Sequence, residues 1–399
     1  MFKKFLSCIW YGAMTLVCFL LLTGCSPDSG LYELADDELV DAVFGVEGEV
    51  PSITRGAVLT KYTIDKYGLY GFSESKSTFA KNVLHTKQPD GSWKSKKWSW
   101  PTKGLSNFYA VNADFTTLGN NLSMQAKGDK EFEFLQPLDA RNHHYLMMAS
   151  LISQAETTDK QVKLTFTPIL STLYVGGMSS LDVAEVKVGG LKLHNVIRRG
   201  TFKFNETKKN KGDWTLPSGE ELTNDDYVTY TRMFLQEDGE TMDEKELIKG
   251  ATAIQMPSKD SAFFLIPQTL TAWDPGTPSD DPEAPTSTLT SIAQADQAHQ
   301  CYFEVLCKIK DDVGYLLGSE TTYGSLYVPY GKNLKLGTAT TFKFDLSEAY
   351  TADGLLFKNQ TDNNGQTIGS VEVDTNRKFG IGIDAQWEST QDDVEILSF

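Results

Sequence analysis

Few residue types in this chain suit chemistry at a reacting atom, and their spacing limits what they can do. Histidine, the commonest general base and metal ligand near neutral pH, occurs five times in 399 residues. His143 and His144 form the one cluster, and they precede an apolar run, Tyr145-Leu146-Met147-Met148-Ala149. A metal there would need further convergent ligands that the sequence does not advertise. Cys301 and Cys307 lie in a segment, 301–310, that alternates apolar and polar residues. As a strand rising ~3.3 Å per residue, it would hold them about 20 Å apart on one face, beyond disulfide reach. They read as a metal or redox pair or, preferably, as two small core residues. Trp93, Trp98 and Trp100 could form a carbohydrate platform, although sheet packing is the commoner use of such rings. Asp280, Asp281 and Glu283 could take calcium or simply make a solvated face. Residues 359–372 are rich in Asp and Asn, but no bidentate Glu falls at the twelfth position of an EF-hand loop. No G-x-S-x-G, P-loop or H-E-x-x-H occurs. Catalytic carboxylate pairs meet only in the fold. The expectation is a protein without cofactor or metal that is not an enzyme, a hidden-carboxylate hydrolase being the remote exception.

One residue does carry a clear chemical signal. Lys3 and Lys4 precede an almost uncharged apolar run, 5–22, long enough to span a bilayer. The run ends in Leu22-Thr23-Gly24-Cys25, which resembles the lipobox of bacterial lipoproteins. That resemblance implies removal of residues 1–24 and a diacylglycerol thioether on the Cys25 sulfur. A plain membrane anchor with a chance cysteine is the alternative.

The elements that would position anything downstream are strands. Period-2 segments recur at Lys163-Leu164-Thr165-Phe166, Leu173-Tyr174-Val175, Thr201-Phe202-Lys203-Phe204 and Thr341-Phe342-Lys343-Phe344. Val186-Lys187-Val188 and Leu191-Lys192-Leu193 flank Gly189-Gly190, and Gly176-Gly177 ends the strand before them. Phe379 to Trp387 alternates in the same way. Helix signals are weak; the example is 243–249, closed by Gly250. Short strands with Gly-rich turns predict β-sandwiches, with a boundary near 176–181. Residues 31–50 are acidic but too apolar for a solvated tether. Lys and Arg number 37 against 53 Asp and Glu, a net charge of -16. Such a chain is repelled by phosphate backbones, so nucleic acid is not expected as a partner, nor is an anionic membrane surface.

An ordered set of landmarks then resembles the fimbrillin family of the Bacteroides group. Trp98-Ser99-Trp100-Pro101 followed by Leu105-Ser106-Asn107-Phe108-Tyr109-Ala110 is similar to the family's W-P pair and its "l-x-F-y-A" strand. Tyr145 to Ala149, 162–171, Phe264-Leu265-Ile266-Pro267-Gln268-Thr269-Leu270 and 336–346 resemble later family segments in the family's order. Departures occur at Thr167-Pro168, His144 and Leu336, where the family has a His, an acidic residue and a Trp.

The resemblance implies an all-β protein of two tandem transthyretin-like β-sandwich domains. The expected divisions are a signal peptide (1–24), a lipidated pro-segment with a first strand (25–55), and sandwiches over 56–180 and 181–399. It further implies a structural subunit of surface fimbriae at the outer membrane, supporting adhesion. Its partners would be other fimbrial subunits, outer-membrane lipid through Cys25, and a surface Arg-specific protease. Arg55-Gly56 stands where the family is cleaved, although an ordinary turn arginine before a strand fits as well. The C-terminal tail offers Val394 and Ile396 on one face, with Leu397 and Phe399 on the other. That tail is either a donor strand for a neighbouring subunit or an edge strand of its own domain. The competing reading of the whole chain is a permanently anchored lipoprotein, fimbrial anchor or tip adhesin, binding a glycan or host protein.

Overall fold

The computed structural model describes residues 39–41, 43–46 and 64–370, apart from 76, 97, 102–103, 119–121, 125–128, 156–160, 250, 252, 257–261 and 277–288. The chain is an all-β protein, with sandwich packing around two principal cores. Its N-terminal lobe is built on a six-stranded antiparallel sheet. In spatial order the strands are Thr167–Pro168, Met147–Gln154, Ser106–Val111, Lys66–Ser73, Thr78–Lys87 and Trp93–Lys94.

Alternation sorts the side chains of this sheet, and both faces of its three central strands are largely buried. Tyr70, Phe72, Tyr109, Val111 and Met148 point to one side, against Phe132, Phe134, Phe202 and Phe204. Those four phenylalanines come from a second sheet, ordered Gly212–Thr215, Arg199–Phe204, Lys130–Leu135 and Leu122–Met124. This second sheet therefore draws strands from both sides of residues 176–181. On the opposite face Tyr67, Leu69, Phe108, Ala110, Met147 and Ala149 pack with Trp100, Leu164 and Phe166.

The C-terminal lobe centres on Glu185–Ile197, which lies between Tyr227–Met233 and Tyr302–Lys310. Tyr315–Leu317 and Gly324–Pro329 pair with Tyr302–Lys310, and Lys245–Glu246 pairs with Glu185–Ile197. Facing it is a smaller sheet in which Ser171–Met178 pairs with Ile254–Met256, Phe263–Leu265 and, in parallel, Ala339–Asp345.

That smaller sheet is a wall shared by both lobes. Leu173, Val175, Phe263 and Leu265 belong to the C-terminal core. Their sequence neighbours Tyr174, Phe264 and Ile266 belong to the N-terminal core. Every residue of Ser171–Met178 is buried for this reason. The strand runs straight through Gly176-Gly177 instead of ending there, because both residues are paired on either side, with Ile254–Met256 and with Ala339–Asp345. A side chain does not fit, since a Cβ on Gly177 would lie 2.0 Å from Met256 Cε and 2.9 Å from the Phe344 ring.

Two more local expectations are corrected. Val188 and Leu191 sit in one continuous strand, Glu185–Ile197; the Gly pair makes a register shift between Val188 and Gly190, not a turn. No helix forms over 243–249. Lys245–Glu246 is a strand beside Lys187 and Val188, Leu247 plugs the core and Ile248 is left exposed. Among the described residues the α-helix is Ile292–Gln297, started by a capping box between Ser291 and Gln294.

Candidate functional site

The outer layer of the N-terminal lobe contains backbone from upstream of Arg55. Leu39–Asp41 pairs antiparallel with Ser99–Pro101, setting Val40 opposite Trp100. Val43–Val46 pairs in parallel with Gln161–Leu164, setting Phe44 opposite Val162. Residues 31–50 thus contribute two short strands with different partners. Both receiving strands bring a residue to the outer core: Trp100 and Leu164 are each buried. Trp100 is fixed further by its Nε1–H, which donates to Ser106 Oγ at 2.9 Å. An arrangement of this kind is chemically simple. Short ladders, each bond worth about 1 kcal/mol net, can be vacated by one strand and refilled by another.

Several residues singled out by sequence lie outside the described residues. These are Cys25, Arg55, Gly56, Asp280, Asp281, Glu283, the 379–387 segment and the tail residues Val394, Ile396, Leu397 and Phe399.

The remaining sequence candidates turn out to be fastenings. His143 Nδ1 accepts from the Phe264 amide at 3.1 Å, while Gln136 Nε2 donates to the Phe264 carbonyl at 2.6 Å. Gln136 also binds the His144 backbone through both ends of its amide. The His pair therefore ties the N-terminal lobe to the shared sheet. Burial, with the Arg232 charge, pushes His143 down to about 3, so it stays neutral as an acceptor needs to be. Cys301 and Cys307 are free, buried thiols of the C-terminal core, whose burial raises both above the ordinary range. Trp98 and Trp100 pack on Phe108, and Trp93 packs on Tyr67. No group of three or more metal-ligating side chains occurs among the described residues.

Two constellations escaped sequence reading. Gln268 receives the Ile197 amide at 2.9 Å and donates to the Ile197 carbonyl at 2.8 Å, locking the end of the long central strand. The second surrounds Glu304, a buried carboxylate that accepts from Lys192, His194 and Ser325 at 2.7 to 3.1 Å. Thr229 Oγ1 lies 3.0 Å from the other ring nitrogen of His194, and the imidazole stacks on Tyr302. Burial alone would raise the Glu304 carboxyl, but these hydrogen bonds and the Lys192 charge bring it down to about 2. Its members come from four strands, and no spacing in the sequence joins them.

No family model and no curated protein matches the chain. Solved structures resemble it over most of its length at low identity. A fimbrial protein from Bacteroides vulgatus is 16% identical, with 76% of this chain and 95% of that chain covered and a TM-score of 0.49. A putative cell adhesion protein from Bacteroides eggerthii is 11% identical, with 87% and 92% covered and a TM-score of 0.40. Another, from Parabacteroides distasonis, is 8% identical, with 84% and 93% covered and a TM-score of 0.39. The class that the fold itself defines is an all-β, two-core sandwich protein with a shared central sheet.

Proposed function

We propose that this chain is a structural subunit of surface fimbriae, exported as a lipoprotein on Cys25, trimmed between Arg55 and Gly56, and assembled by exchange of strands. The observation that carries the reading is the seat of Leu39–Asp41 and Val43–Val46. Cutting at Arg55 would release Leu39–Asp41 and Val43–Val46 together, vacating the ladders on Ser99–Pro101 and Gln161–Leu164. A strand from a neighbouring subunit could then occupy those edges, with backbone hydrogen bonds supplying affinity and side-chain pockets specificity. The landmarks running in order from Trp98 to Leu346 support the same reading. Binding energy, not catalysis, is then its working principle. Its partners are other subunits, outer-membrane lipid, a surface Arg-specific protease and, through adhesion, a host protein or glycan.

The test is the mature N-terminus of material sheared from the cell surface. Gly56 at that position is expected, and lipidated Cys25 on all of it would instead identify a permanently anchored lipoprotein. Fatty-acid labelling should be lost in Cys25→Ala, and Arg55→Ala should leave a folded monomer that does not polymerise. The tail is tested by deleting 392–399. A donor strand predicts an unchanged monomer melting temperature with polymerisation abolished, whereas an edge strand of the chain's own domain predicts a destabilised monomer.

A further inference from the structure

A cleft of about 350 Å³ opens where Arg232 of the C-terminal lobe meets the N-terminal lobe. That size lies at the lower end of the range of small-molecule sites, ~300–1,000 Å³. Its charge runs against that of the chain. In a protein of net charge -16, the lining carries Lys66, Arg141 and Arg232 against the single carboxylate of Asp65. Arg141 also holds Asp139, through Nε and Nη2. Arg232 is buried and donates through Nη1 to the Ala140 carbonyl at 2.8 Å, which fixes its guanidinium at the wall. Lys66 is exposed, and its charge acts on Asp114 as well as on His144. The same cations act on the lining histidines. Burial lowers both, and positive charge lowers them further, from Arg232 at His143 and from Lys66 at His144. Tyr145, packed against Phe264 at a ring separation of 5.0 Å, adds an aromatic surface to the wall.

We propose that this interlobe cleft binds a small organic anion of monosaccharide size, recognised through its carboxylate or sulfate group by Lys66, Arg141 and Arg232. The guanidinium suits such groups because its planar donors match the paired oxygens of a carboxylate or sulfate. The site is independent of strand exchange, so it stands or falls apart from the fimbrial reading.

The experiment is an NMR titration of the purified full chain with glucuronate, N-acetylglucosamine 6-sulfate and uncharged glucose. At least one of the two anions should bind with a Kd of about 1 mM or tighter, shifting resonances around Lys66, and glucose should not bind. Which anion binds tells carboxylate from sulfate recognition. Lys66→Glu and Arg141→Gln change exposed side chains and should each weaken binding roughly tenfold. Lys208→Glu, the same charge change on an exposed loop away from the cleft, should leave it unaltered. The proposal is overturned if neither anion binds, if glucose binds equally well, or if Lys208→Glu weakens binding as much as Lys66→Glu.

Discussion

Glu304 shows how one buried carboxylate can organise four strands. With Lys192, His194 and Ser325 all directed at it, its folded pKa falls from an ordinary 4.5 to about 2. A depressed carboxylate contributes stability that is complete above its unfolded pKa and is lost as pH falls through the folded value. A difference of this size is on the order of 3 kcal/mol. Glu304→Gln should therefore lower unfolding free energy at pH 7 by roughly 2–3 kcal/mol. The gap between variant and parent should close progressively between pH ~4.5 and pH ~2. Urea titrations at several pH values measure it, and a gap independent of pH would count against the ionised cluster. None of this was legible beforehand. Lys192 and His194 lie 112 and 110 positions from Glu304, and only sheet registration makes them neighbours. Cys301 and Cys307, by contrast, were readable as core residues, because alternation along a single strand fixes the face on which they fall.

At the scale of elements, the shared sheet explains why local signals failed at some positions and succeeded at others. Gly176-Gly177 reads as a strand terminus on propensity alone, yet the strand continues through ladders on both sides, and Met256 and Phe344 close over Gly177. Gly177→Val should therefore cost about 3 kcal/mol or more through overpacking, lowering the melting temperature. A variant within ~0.5 kcal/mol of the parent, the range of surface changes, would show that this wall yields. The 243–249 segment fails as a helix for a related reason. Leu247 is its one residue in the core, whereas Glu244 is bound by Lys308 at 2.8 Å and by Tyr323. A cross-strand pairing that satisfies those groups outweighs a short helix, which is marginal by itself.

For the whole molecule, the consequence of the proposed trimming can be followed through the backbone. In the intact chain, Ser99–Pro101 and Gln161–Leu164 are paired to Leu39–Asp41 and Val43–Val46. In the Gly56 product those partners are gone. Hydrogen exchange by mass spectrometry should then show faster exchange in these two strands after cleavage. Tyr302–Lys310, paired on both sides within the C-terminal lobe, should keep its protection. Re-addition of a strand from another subunit should restore protection to the N-terminal edges. Unchanged exchange after verified cleavage would sever the link between processing and an open edge.

The division between sequence and tertiary structure follows from the range of the forces involved. Alternation of apolar residues determined that the chain is all-β, and it assigned Phe202, Phe204, Phe342 and Phe344 to core faces. The acidic balance is a sum over composition alone, and the resemblance of Leu22-Thr23-Gly24-Cys25 to a lipobox lies within one short stretch of chain. Tertiary structure decided which cores those faces serve, since Leu173 and Tyr174 are adjacent yet belong to different ones. It also decided that His143 and Gln136 would bind the Phe264 backbone at its amide and its carbonyl, and that Lys66 and Arg232 would line one cleft. Period-2 patterning fixes the side of a strand on which a residue lies. It does not fix which distant strand arrives to meet it, because that depends on sheet order and on packing over the whole chain.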